Sequence, residues 1–142
     1  MVEVRIEDWK LTIDKEKTNA LYMTHLQAGD PLAYQNFLLA NEKLDEELLL
    51  HFSNSLGLNL QQPTLLNAFP VDGQQIMYSG YYTVCGAIVE GEMDAWDVIV
   101  GEHCFSLVEE EPILALTEPH FHIGFEVVLP WLLPQTLELT KK

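Results

Sequence analysis

This sequence predicts an α+β fold: a mostly antiparallel sheet of about five or six strands with two or three N-terminal helices on one face, forming a single domain over residues 1–142. Three observations predict it. Helical spacing of apolar residues is confined to residues 15–56, and from Gln62 onward the pattern changes to short alternating runs bounded by Pro, Gly and Asp. No helical signal separates those later runs, so they cannot make the crossovers that parallel pairing needs. A chain of 142 residues that is 48% hydrophobic and 20% charged buries roughly 70% of its unfolded surface and needs no staple.

The elements follow in order. Val2, Val4 and Ile6 alternate in one phase and Trp9, Leu11 and Ile13 in the other, which predicts a strand with a bulge or bend near Glu7 and Asp8. Asp14 offers an N-cap to a helix carrying Ala20, Leu21, Met23 and Leu26 and ending near Gly29. Asp30 followed by Pro31 starts the next, with Leu32, Ala33, Phe37, Leu38 and Ala40 at helical spacing. Asp45, Glu46 and Glu47 ahead of Leu48, Leu49 and Phe52 place acids at a positive helix end, and Gly57 supplies a left-handed stop. Residues 30–56 are therefore one interrupted helix or two. Asp72-Gly73 marks a tight turn, and residues 74–90, broken by Gly80 and Gly86, predict a curved strand or a bulged pair. Residues 98–100, 104–108 and 120–129 complete the strands, with residues 90–97 an acidic connection.

Charge excludes several partners. Seven Lys plus Arg against 22 Asp plus Glu leave a formal charge of −15, and before the terminal Lys141 and Lys142 the only cations are Arg5, Lys10, Lys15, Lys17 and Lys43. Residues 44–140 hold 15 acids and no Lys or Arg, so they cannot neutralise phosphates, and neither nucleic acid nor an anionic membrane is an expected partner. A basic protein, a cation, or simple solvation of an acidic surface are the remaining uses. The N-terminus alternates and is acidic, unlike a signal peptide, and the longest apolar run, Val127 to Pro134, falls far short of the roughly 18 residues a membrane span requires. A cytoplasmic location is expected. Two cysteines, Cys85 and Cys104, make no disulfide framework and predict buried thiols.

Trp9 to Asp14, Gln35-Asn36-Phe37, Leu56-Gly57-Leu58, Tyr78 to Tyr82, Gly86 to Gly91 and Phe125 to Trp131 together resemble a family of small uncharacterised proteins from Gram-positive bacteria. The resemblance covers nearly the whole chain. Relatives carry a Cys-x-Cys-x-x-Cys-x-Asn-Phe run opening the second helix, and here Gly29, Pro31 and Tyr34 stand in register with those cysteines. The resemblance implies a shared fold and transfers no activity; any metal or redox role of those thiols is not available to this chain.

Among constellations that carry chemistry, His120, His122 and Glu126 share one face of an extended strand, with Gly124 between them leaving room. Two imidazoles and a carboxylate suit zinc, iron or manganese, the one cofactor class the sequence offers. The spacing resembles the first metal motif of cupins, but Leu114 and Leu133 replace its flanking glycines and no histidine follows His122. Polar residues outward on a half-exposed strand explain the same pattern. His25, His51 and His103 are further imidazoles that a fold could bring near. His103 and Cys104 face opposite sides and cannot form a dyad, Cys85 could pair only with a distant histidine, and no nucleophile elbow or phosphate loop occurs. Glu90, Glu92, Asp94 and Asp97 lack the spacing of a calcium loop. Glu109-Glu110-Glu111 before Pro112 reads as an exposed turn.

Trp131, Leu132 and Leu133 close an apolar run that either enters the core or forms a docking or dimer patch. The sequence thus favours a non-catalytic protein-binding or self-associating domain, in its sharper form an inhibitor or immunity-type protein holding a basic target. The alternative is a metal-dependent enzyme or metal-binding protein built on His120, His122 and Glu126. A third reading places a small apolar ligand in a pocket between helices and sheet.

Overall fold

The computed structural model describes residues 1–24, 31–43, 47–72, 74–113, 116 and 118–134, and in it the N-terminal alternation folds back on itself. Strand β1 (Val2–Ile6) pairs antiparallel with β2 (Trp9–Ile13), Ile6 opposite Trp9. The phase slip is therefore a two-residue turn, not a bulge or bend within one strand. Glu7 adopts the left-handed conformation that such a turn needs, φ 51°, without the Gly or Asn that normally signals it.

Helices α1 (Lys15–Thr24), α2 (Pro31–Glu42) and α3 (Glu47–Leu56) follow. Asp14 caps α1, its Oδ1 accepting the Lys17 N–H at 3.1 Å. The expected interruption separates α2 from α3. Gly57, at φ 75°, ends α3 with the Leu58 N–H donating to the Ser53 carbonyl (2.9 Å) and its own N–H to that of Asn54 (3.3 Å), which satisfies carbonyls the helix leaves open. Leu26, Gly29, Asp30, Asp45, Glu46, Gly73, His25, Leu114 and the side chain of Met23 lie outside the described residues.

The remaining strands are β3 (Leu65–Pro70), β4 (Gln75–Glu90), β5 (Val98–Val100), β6 (His103–Val108) and β7 (His120–Pro130). With β1 and β2 they form a seven-stranded sheet in the order β1-β2-β4-β7-β6-β5, with β3 also on β4, and every pair of strands is antiparallel. The α+β class expected from the sequence is what the chain adopts. Strand β4 is long because one of its edges serves two partners in succession, residues 76–81 taking β3 and residues 86–90 taking β2. Both junctions need glycine. A Cβ at Gly80 would sit 1.8 Å from the Leu65 carbonyl oxygen, and one at Gly86, which has φ +147°, would sit 2.0 Å from that of Thr12.

One face of this sheet buries the core. Trp9, Leu11, Tyr78, Tyr82, Phe105, Ile123 and Phe125 point toward the helices, where Phe37 meets Tyr78 (5.1 Å between rings) and Phe125 (6.0 Å), and Phe52 stacks on Phe105 (4.3 Å). Each such buried side chain contributes roughly 1.5–3 kcal/mol. Two buried polar side chains fix where the helices dock. Thr18 accepts the Cys85 N–H (3.0 Å) and donates to the Asp14 carbonyl (2.8 Å), tying α1 to β4. Asn36 donates to the Tyr78 hydroxyl and to the Pro130 carbonyl (3.1 Å each) and accepts the Leu132 N–H (2.7 Å), tying α2 to the end of β7.

Candidate functional site

The face of the sheet turned away from the helices carries the candidate chemistry. Its rows can be read from the strand register. Phe69, Met77 and Val128 stand side by side, as do Asn67, Ser79, Glu126, Cys104 and Ile99, then Leu65, Tyr81, Gly124 and Ser106, then Thr83, His122 and Val108, and finally Cys85 with His120. Alternation therefore places His120, His122 and Glu126 on one face, as the sequence predicts. It also gives them different surroundings: His122 is buried, His120 half-buried and Glu126 exposed.

Both histidines bond to the backbone of the connection before β7, at Glu111, Ile113 and Glu118. His120 donates from Nδ1 to the Glu118 carbonyl (2.8 Å) and accepts the Ile113 N–H at Nε2 (3.1 Å), an arrangement made by the neutral ring. His122 bonds through Nδ1 to the Thr83 hydroxyl (3.1 Å), which meets that of Thr64 (2.7 Å), and also hydrogen-bonds the Glu111 backbone. Burial lowers the pKa of His122, the neighbouring His120 lowers it further, and the Glu111 contact opposes both. The two rings lie 5.6 Å apart, and Tyr81 lies 4.7 Å from His122. A metal ion would need the lone pair on His120 Nε2 that the Ile113 amide already occupies. Among the described residues no three His, Cys, Asp or Glu side chains gather to hold a metal. His51 is exposed on α3 and His103 is buried on the core face, so neither approaches this pair.

Two loops cover the lower half of this face. Residues 91–97 fold over it with Asp94 N–H donating to the Leu107 carbonyl (2.8 Å), and Trp96 lies over Gly124, where an added Cβ would meet its ring at 3.0 Å. The room that glycine leaves between His122 and Glu126 is thus occupied by an indole. The described residues 109–113, 116, 118 and 119 form the second cover, joined to α1 by the Lys17–Glu118 ion pair (2.8 Å). Between these covers lies a cavity of about 520 Å³. Ile88, Met93, Val108 and Pro112 supply apolar wall, and Glu109, Glu110, His120 and His122 also line it. At the helix–sheet interface, the third place the sequence offers for a ligand, the described residues include the buried aromatics Trp9, Phe37, Phe52, Tyr78, Tyr82, Phe105 and Phe125.

The upper half of the face is open. Phe69 is 50% exposed and Val128 42%, with Ile99 at 67% on the neighbouring edge strand. The expected docking patch behaves differently. Trp131 packs against the core, its N–H donating to the Gln74 carbonyl (2.8 Å), Leu133 is half-buried, and Leu132, 37% exposed, has its backbone held by Asn36. Both cysteines stand on this outer face, Cys104 opposite in phase to its buried neighbour His103 as the alternation predicts. Cys85 is buried, which pushes its thiol above the usual range, and Cys104 is half-buried beside Glu126.

The signal for the open patch was present in the sequence as the outward phase Leu65, Asn67, Phe69, which carries two large apolar residues where polar ones are usual. The chain matches no family model, no curated protein and no solved structure. Among the described residues no helix is long and apolar enough to cross a membrane.

Proposed function

We propose that this protein is a non-catalytic, cytoplasmic protein-binding domain whose partner is basic and docks on the open half of the outer sheet face. The observation that carries the reading is the row of exposed Phe69, half-buried Met77 and exposed Val128, set in a region whose described acids have no cation of their own. Among the described residues after Lys43 there is no Lys or Arg, and of the acids there only Glu118 has an ion-pair partner, Lys17 of α1. An apolar centre with an anionic surround matches an interface core with a charged rim. A second copy of the chain fits less well, because each copy brings a formal charge of −15. An inhibitor or immunity-type role is the specific form of this reading.

The test is capture of the tagged protein from its host lysate at low and high salt, in parallel with a Phe69→Ser, Val128→Ser variant that changes only exposed side chains. The reading expects a stoichiometric basic protein that salt releases and that the variant retains at least about tenfold less well. Equal capture by the variant would remove this face from the interface, and recovery of the chain alone or as its own dimer would overturn the proposal.

A further inference from the structure

The cavity under the two covering loops has a chemistry of its own, separate from the open row at Phe69 and Val128. Its volume of about 520 Å³ lies in the range of small-molecule sites. Ile88, Met93, Val108 and Pro112 make an interior that favours an apolar body. The charge around that interior has one sign. Glu109 and Glu110 are exposed members of the lining, and neither has an ion-pair partner among the described residues. Glu118 also lines the cavity but is already matched by Lys17 at 2.8 Å.

The two imidazoles do not offset those carboxylates. Both ring nitrogens of His120 are engaged, by the Glu118 carbonyl and the Ile113 amide, and His122 is buried, bonded to Thr83 and the Glu111 backbone. The lining contains no Lys or Arg. Next to it, Tyr81 packs on His122 and feels the charge of Glu110, so an aromatic ring stands near a free carboxylate. Apolar walls, unpaired carboxylates and a neighbouring aromatic ring are what an ammonium on a hydrocarbon body recognises. An anion would meet only repulsion.

We propose that this cleft is a binding site for a small organic cation, an alkyl- or arylamine whose apolar body enters between Met93 and Pro112 and whose ammonium pairs with Glu109 and Glu110. The probes are 4-phenylbutylamine, 4-phenylbutanol and 4-phenylbutyrate, titrated into the full-length protein labelled with ¹³C at its methionine methyls. Met93 lines the cleft and Met77 lies on the open row, so the two methyls report the two regions separately.

The amine is expected to shift the Met93 resonance with a Kd below about 1 mM, the alcohol to bind about tenfold more weakly, and the carboxylate not to bind. A Glu109→Gln, Glu110→Gln variant, altered only at exposed side chains, should lose about tenfold in amine affinity and keep its affinity for the alcohol. Any of three results overturns the proposal: no Met93 shift with the amine at several millimolar, equal binding of amine and carboxylate, or a response at Met77 in place of Met93.

Discussion

Lowering the pH from about 7.5 to about 4.5 offers His103 a proton for which the folded protein has no place. The imidazole is 1% exposed on the core face of β6, stacked parallel to Phe105 with ring centres 5.6 Å apart, and its Nδ1 has no partner. Burial pushes its pKa down from 6.5 to about 4. The unfolded chain takes up the proton near pH 6.5 and the folded one only near pH 4, so stability is complete above 6.5 and falls as pH drops through that window. Each pH unit inside it costs about 1.4 kcal/mol, and by pH 4.5 the loss through this one residue reaches about 2.5 kcal/mol. Against a typical total of about 5–15 kcal/mol this is easily measured. The assay is urea unfolding of the natural protein and of His103→Leu at both pH values. The variant removes the unpaired nitrogen, so at neutral pH it should be as stable or gain about 1 kcal/mol. The natural protein should lose about 2.5 kcal/mol more than the variant on acidification. Parallel losses in the two proteins would refute the reasoning.

Three further outcomes are expected. Asn36→Ala leaves the Leu132 amide and the Pro130 carbonyl without their partner and should cost about 2–4 kcal/mol in chemical denaturation; a loss below about 1 kcal/mol would mean that water replaces the side chain. Gly80→Ala places a methyl 1.8 Å from the Leu65 carbonyl, a backbone atom that cannot swing aside, so β3 must separate from β4 at a cost above about 3 kcal/mol, read as a fall in melting temperature or in soluble yield. Because the His120 nitrogens already serve the backbone, zinc at about tenfold excess should leave thermal unfolding unchanged. A rise in the midpoint with stoichiometric bound zinc would return His120, His122 and Glu126 to the role of ligands.

Local signals in the sequence carried most of the fold. The cap at Asp14, the proline at 31, the stop at Gly57 and the alternation of β4, β6 and β7 each depend on a few adjacent residues, and the structure keeps them. The hairpin at Glu7 and Asp8 carries no turn signal, because its left-handed residue is a glutamate, and its alternation has the pattern of one slipped strand. The site was less legible. Alternation placed His120, His122 and Glu126 on one face, but whether they see solvent or another segment depends on residues 109–119, whose Glu-Glu-Glu-Pro opening has the composition of an exposed turn. The contacts that lay its described residues on β7 join positions only two to seven apart, yet they leave no periodic trace in the sequence. His103 is a different case: it is in phase with Phe105 and Leu107, and that phase alone marks it as a core position.

The shared edge of β4 also sets a timetable for synthesis. Strand β2 closes on residues 86–90, and the contact between Thr12 and Ala87 spans 75 positions of sequence. At about 5–20 residues per second, the emerging N-terminal hairpin waits roughly 4–15 s for the strand it must join. During that interval Trp9, Leu11 and Ile13, all later buried, face water with no sheet to cover them. Glu7, Asp8 and Asp14 bracket this apolar run, and their repulsion toward other nascent chains guards the hairpin while it waits.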